Sequence, residues 1–407
     1  MKILKIISVL ILIFSTLRFL ILFALNINVS SSINYLSTTI LFVLIIIFSK
    51  PVTVFYERSK NYLYQIILLN FFAGILWFST SFLINGFSIG SVREFLIIFV
   101  APFSILIFLN VTKSTITNTV KFIVFIISLS CLLDFTVSNF FPGGIIGAEI
   151  KNYYLMKITP PETQIVPARI GILVRSHGIT GSYHDSANIL TFTLIFLIGN
   201  FFKNKSQKIL NMLLIFVGVL ALITTLSLAN IIAFFVGLLI INFSRAKYLI
   251  PRTILSFGFV YVILFFFNSY FNLFEYILPQ LDPSGVKFQA MLATGTSTAF
   301  QNIISFIFGH ENLTNISNVG YFSEAAFVVL LSNLGIIPFF TLMFLLVYPI
   351  YSYFKFNSGQ YNLYNVIAVS IAILTLWHYG SLFRSTSIFI FYAIYALSIK
   401  RIKEVND

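Results

Sequence analysis

Long uninterrupted apolar runs limit what this chain can fold into more than any other feature. Segments such as LSTTILFVLIIIF (36–48) and ILSFGFVYVILFFF (254–267) carry no charged residue, and similar runs recur along all 407 residues. A helix needs about 20 apolar residues to cross the hydrocarbon of a bilayer. Only 9% of the residues are charged, whereas a soluble domain carries about a quarter. The runs are continuous rather than alternating, which excludes a membrane β-barrel. The sequence therefore specifies an all-α polytopic integral membrane protein, with residues 1–407 forming a single transmembrane domain.

Spans are expected at about 5–26, 32–49, 62–86, 95–111, 122–140, 186–202, 209–224, 227–243, 253–270, 324–352, 362–378 and 385–399, roughly twelve in all. The N-terminal run MKILKIISVLILIF resembles a signal peptide. It lacks an A-x-A cleavage site, and Arg18 follows in the same apolar run, so it is expected to be a retained first span. With the N-terminus in the cytoplasm, seventeen of the 25 Lys and Arg residues fall in inner segments and seven in outer ones, with Arg18 inside a span. That bias is the positive-inside pattern and expects both termini in the cytoplasm. It also accounts for the net charge of +13 without a nucleic-acid partner. The single cysteine, Cys131, excludes an internal disulfide.

Acidic residues and histidines collect on the opposite side. Eight of the twelve Asp and Glu residues and all four histidines lie at or beyond the outer face in this arrangement. Two outer loops are long, at about 141–185 and 271–323. Loops longer than about a dozen residues tend to carry function, and these contain aromatic and aliphatic residues that argue against disorder.

The densest polar stretch is RSHGITGSYHDSAN, residues 175–188, just before an apolar run. Arg169 and Arg175 are six residues apart. A guanidinium is costly beside apolar surroundings without an anionic partner, and its planar fork suits phosphate oxygens. The pair is therefore a candidate clamp for a lipid-linked phosphate. Gly178 and Gly181 allow a close backbone turn. Asp185 and Ser186 stand where a helix would start and either could cap it. His177 and His184 would share a face only in a helix, and their spacing fits no standard metal site. Asn188 closes the stretch.

Further along, Lys287, His310 and Glu324 are candidates in the second long loop and at its end. Glu324 is an N-terminal helix residue by its position after Ser323, or an interfacial carboxylate able to act as a general base. Arg93 and Glu94 open the fourth expected span, and Arg384 the last. Asp134 lies within the fifth span, with an outer arginine or Arg18 as its expected partner. Thr224, Thr225, Ser227 and Asn230 form a polar patch between two closely joined spans. There is no P-loop, Rossmann fingerprint, HExxH or DxD motif. Neither a metal nor a nucleotide cofactor is expected.

Three segments in this order resemble the Wzy-type O-antigen polymerases and the related O-antigen ligases. They are RSHGITGSYHDSAN, with Arg175, Gly178 and Asn188 at the positions of an Arg-x-x-Gly stretch ending in Asn; TTLSLANIIAFFVGLLI; and SEAAFVVLLSNLGIIPFF, which follows a long outer loop. The resemblance covers about 169–345. It implies a GT-C-like membrane fold in the bacterial inner membrane and a metal-independent glycosyl transfer at its outer face. The donor would be a glycan on polyprenyl diphosphate, and the acceptor a lipid-linked repeat unit in the surrounding membrane lipid. A chain-length regulator protein is an implied partner. The ligases usually carry His eleven residues before the Gly matching Gly335, where this chain has Glu324, which favours a polymerase over a ligase. In this reading Arg169 and Arg175 neutralise the leaving diphosphate and Glu324 is the base. Arg384, His177, His184, Asp185, Asn188, Lys287 and His310 hold sugars and phosphate. A lipid-linked oligosaccharide flippase is the competing expectation, but it should carry charges near the midplane. Here only Arg18 and Asp134 lie well inside spans.

Overall fold

The computed structural model describes residues 2–24, 45, 58–140, 169–170, 173–180, 182–201, 208–243, 303–309, 330–331, 333–355, 363–376, 380–383 and 386–400. They form α1 (Lys2–Ala24), α2 (Arg58–Asn85), α3 (Ile89–Phe95), α4 (Ser104–Leu109), α5 (Lys113–Phe140), a two-stranded ladder of β1 (Arg169–Ile170) and β2 (Leu173–Val174), α6 (Tyr183–Phe201), α7 (Lys208–Thr224), α8 (Leu228–Phe243), α9 (Ile303–Phe308), α10 (Ile336–Lys355), α11 (Leu363–Thr375) and α12 (Ile388–Ile399). Almost everything described is helical. Among the described residues, four helical stretches are long and apolar enough to cross a membrane: Tyr62–Asn85, Ile89–Leu109, Lys113–Phe140 and Ile336–Lys355. The spans expected at 32–49 and 253–270 lie outside the described residues.

The sidedness of α5 suits a helix with one face in lipid. Phe122, Phe125, Leu129 and Leu133, spaced three and four apart, are exposed, while Ile123, Ile127 and Cys131 are buried. Exposed aromatic and aliphatic residues at this density would be unfavourable in water. They are at no disadvantage against acyl chains.

The chain divides into two compact units. One comprises Met1–Ser15, Tyr35–Ile116 and Ser284–Asp407; the other comprises Thr16–Asn34 and Thr117–Pro283. In the first unit α12 is buried along its entire length, with α4, α10 and α11 among the helices packed on it. Two prolines interrupt backbone ladders there, and in each case a side chain from a neighbouring helix makes good the loss. Pro349 lies inside α10 and has no N–H to give the carbonyl of Leu345. The hydroxyl of Tyr395 in α12 donates to that carbonyl at 2.6 Å. Pro102 follows a π turn at Leu96–Val100 and leaves the carbonyl of Ile98 without its usual donor. The amide of Asn70 in α2 donates to it at 3.3 Å, and the hydroxyl of Thr341 in α10 donates to the same Asn70 at 3.4 Å. Trp77, fully buried, donates from its indole N–H to the carbonyl of Asn333 at 2.7 Å.

Several boundaries differ from the sequence expectation: α5, expected from about 122, begins at Lys113, and two other differences have a visible cause. The helix expected to run unbroken through 324–352 is divided at Gly335, which has φ +72°. A Cβ there would stand 2.3 Å from the backbone nitrogen of Gly309, so the close approach of two backbone segments interrupts the helix. The stretch holding Arg93 and Glu94 begins a turn earlier than expected. Ser88 accepts from the N–H of Gly90 at 3.1 Å and that of Ser91 at 3.5 Å, and so starts α3 at Ile89.

The proline rule makes a prediction. Tyr395→Phe leaves the Leu345 carbonyl without a donor and should cost about 1–2 kcal/mol. Pro349→Ala restores the missing N–H, so the same Tyr395→Phe change should cost markedly less in that background. Unfolding midpoints of the four chains in mixed detergent micelles measure the coupling.

Candidate functional site

In the second unit, the C-terminal part of α5 departs from the apolar pattern at Ser130, Asp134, Ser138 and Asn139. The first three are four residues apart and lie on one face. The segment 174–179 runs along that end of α5, and the side chains of α5 hold its backbone. Asn139 clasps Val174 at two points, accepting from its N–H at 2.8 Å and donating to its carbonyl at 3.0 Å. Asp134 accepts from the N–H of His177 at 2.7 Å and of Gly178 at 3.3 Å. It also accepts from the hydroxyl of Ser138 at 3.2 Å. The hydroxyl of Ser130 accepts from the N–H of Ile179 at 3.0 Å. Ser176 donates through its hydroxyl to the carbonyl of Cys131 at 2.7 Å and through its N–H to the carbonyl of Thr224 at 3.1 Å. From Asn139 down to Ser130 is nine residues, or about 14 Å along a helix. The loop therefore descends well below the end of α5, and the protein itself supplies its hydrogen bonds.

Gly178 is required at the turn. Its φ is +57°, and an added Cβ would fall 2.6 Å from Cys131 Sγ, 3.0 Å from Ser130 Oγ and 3.2 Å from Ser186 Oγ. A short 3-10 turn, Gly178–Thr180, follows. The N-terminus of α6 is capped by Ser182, whose hydroxyl accepts from the N–H of Asp185 at 3.4 Å. This corrects the sequence expectation that Asp185 or Ser186 is the cap. Asp185 instead sits in the first turn, where the helix dipole favours a carboxylate. Ser186 is turned back on the loop and donates to the carbonyl of His177 at 2.7 Å.

Tyr183, in the first turn of α6, organises the remaining polar residues. The guanidinium carbon of Arg175 stands 4.6 Å from the centroid of its ring, within the range of a cation–π contact. His177 meets the ring edge-on at 5.7 Å and His184 lies against it at 3.9 Å. Arg175 is half-buried. Its Nε is buried without a hydrogen bond, and among the described residues no carboxylate pairs with it. His177 Nδ1 is 4.0 Å from Asp134 Oδ2, the outer limit of an ion pair. Asp185 and Asn188 are both buried on α6.

Of the candidates taken from the sequence, Arg175, His177, His184, Asp185 and Asn188 are gathered here. Arg169 is paired with Val174 in the two-stranded ladder, next to Arg175 in the chain, but its side chain lies outside the described residues. Glu324, Lys287, His310 and Arg384 also lie outside them, as does the side chain of Arg18, one of the expected partners of Asp134. Sequence reasoning overlooked Tyr183 and Asn139. The polar patch at Thr224, Thr225, Ser227 and Asn230 closes the side of the loop opposite α5. Thr224 receives the N–H of Ser176, and Thr191 in α6 donates to the carbonyl of Asn230 at 3.3 Å.

The fold and its apolar helices define a helical membrane-embedded protein. The chain matches no family model and no curated protein.

The clasp at Asn139 predicts a graded loss. Asn139→Ala removes both bonds to Val174 and should destabilise the chain by roughly 2 kcal/mol, whereas Asn139→Asp keeps the acceptor for the Val174 N–H and should cost about half as much. Thermal unfolding in detergent, compared with the natural chain, reads both.

Proposed function

We propose that the chain is a polymerase of lipid-linked oligosaccharide repeat units. In this reading it works at the outer face of the bacterial inner membrane, with both termini in the cytoplasm, about twelve spans and a GT-C-like architecture. The growing glycan on polyprenyl diphosphate is the donor, and one lipid-linked repeat unit is the acceptor. The observation that carries the reading is Arg175. Its guanidinium lies over the ring of Tyr183, its Nε is buried without a hydrogen bond, and no carboxylate among the described residues neutralises it. Such a group is prepared for an anion that arrives with a ligand, and a diphosphate at the membrane surface has the charge and the oxygen geometry to match.

The reaction needs no nucleotide or metal. An acceptor hydroxyl attacks the anomeric carbon of the donor, the bond from that carbon to the diphosphate oxygen breaks, and the hydroxyl proton passes to a base. Negative charge grows on the leaving diphosphate, so a fixed cation there lowers the barrier. Arg175 takes that role, with Arg169 close to it in the chain. Glu324 is the proposed base. His177, His184, Asp185 and Asn188 contact sugar or phosphate around Arg175, and Lys287, His310 and Arg384 hold the rest of the substrate. A regulator of chain length is a proposed partner.

Polymer length tests this. In a strain whose polymer depends on this chain, Arg175→Ala and Glu324→Gln should each reduce long chains to single repeat units, a loss of about 100-fold or more in transfer rate. Arg175→Lys, which keeps charge but loses the planar fork, should give short chains. Normal chain lengths from well-accumulated Arg175→Ala protein would rule the assignment out. A product with no repeat units at all from the deletion strain would indicate a ligase, and units trapped on the inner leaflet a flippase.

A further inference from the structure

We propose that Asp134 is a positioning residue, whose carboxylate holds the 177–178 turn closed over Cys131 and thereby sets where Arg175 presents its guanidinium. The inference rests on reading Arg175 as the group that receives the anion. Three observations carry it. First, a single side chain engages two successive backbone N–H groups, those of His177 and Gly178, two and three residues beyond Arg175. Two convergent bonds to one carboxylate fix the direction of the turn, which one bond would not. Second, among the described residues no other α5 side chain accepts from the two amides of this turn. Asn139 acts on Val174, before Arg175, and Ser130 on Ile179, after Gly178, so Asp134 is the α5 residue at the point where the chain reverses. Third, bonds from a carboxylate to N–H groups are charge-assisted and about twice as strong as neutral ones. The carboxylate is 13% exposed, which limits competition from water.

Loss of this carboxylate frees the turn. The chain then keeps its anchors at Val174, Ser176 and Ile179, and the His177 carbonyl keeps the Ser186 hydroxyl, but the two amides of the turn lose their acceptor and the contact of Arg175 with Tyr183 loosens. This is local opening rather than global unfolding.

The chain contains its own reporter. Cys131 is its only cysteine and is fully buried, with its Sγ lying under Gly178. Membranes carrying the full chain are treated with N-ethylmaleimide for increasing times and denatured, and the remaining thiol is counted with a mass-tagged maleimide. The natural chain and Arg175→Ala should react slowly and at the same rate. Asp134→Ala should react about tenfold faster. Asp134→Asn, which keeps one carbonyl oxygen as an acceptor, should fall between them and should partly restore polymer length lost in Asp134→Ala. If Asp134→Ala does not accumulate, Asp134→Asn against the natural chain carries the comparison.

Alkylation of the Asp134 variants at the natural rate overturns the proposal. So does faster alkylation accompanied by an equal fall in whole-chain thermal stability, which is what a merely structural role would give. Normal polymer from an opened Asp134→Ala turn, with polymer lost in Arg175→Ala, also overturns it. Polymer unaffected in both Asp134→Ala and Arg175→Ala, with the alkylation contrast intact, means instead that the polymerase reading fails while the turn is held as described.

Discussion

The site depends on one physical exchange: side chains of a membrane-length helix satisfy the backbone of a loop. Non-helical chain is tolerated at membrane depth only where it is buried in protein or lines a water-filled cavity. Asn139, Asp134 and Ser130 supply hydrogen bonds to the loop from α5, and the carbonyl of Thr224 supplies another from the end of α7. Without these groups the segment 174–179 would have to stay at the surface in contact with water. With them it descends along α5 and carries Arg175 to the foot of α6. The polar residues that interrupt the apolar pattern of α5 thus act on another part of the chain, and their positions follow the loop rather than a heptad.

The same rule operates in the first unit, where the groups left over are single carbonyls. Each of two prolines removes one donor from a helix, and each orphaned carbonyl is met by a side chain from a different helix, Tyr395 in one case and Asn70 in the other. A polar residue inside an apolar helix could be taken for a transport pathway. Asn70 and Tyr395 serve the backbone instead. Polar residues of this kind therefore say little about ligands, whereas a cation with no carboxylate partner among the described residues says more.

The helices were legible in the sequence because their apolar runs are long and their ends are marked by Lys, Arg, Gly and Pro. The concentration of polar chemistry in 175–188 was legible too, and five candidates from it do share one neighbourhood. Their arrangement was not. Nothing local to Tyr183 shows that Arg175 and two histidines will meet at its ring, since that depends on a reversal of the chain at Gly178. The cap was misassigned because Ser182, Asp185 and Ser186 are all good capping residues. The choice among them was made by Ser186 turning back to the carbonyl of His177. The break at Gly335 was likewise hidden, because the glycine that should be close to it, Gly309, is distant in sequence.

A half-buried arginine with no carboxylate partner among the described residues does little for stability. Desolvating its Nε without a hydrogen bond carries a cost, and the contact with Tyr183 returns about 0.5–2 kcal/mol. A leucine in its place would pack against the ring and desolvate no charge. An arginine that served only to pack or to pair would instead be expected beside Asp134 or Asp185, the described acidic residues of the site. Asp134 is committed to the amides of the turn, and Asp185 stands in the first turn of α6. With Asp134 committed to the turn, the guanidinium has no carboxylate partner among the described residues. That division of labour, in which one carboxylate holds the frame and the arginine is left for the ligand, is the physical case for an anion at this site. A diphosphate carried on a lipid is the anion proposed for it.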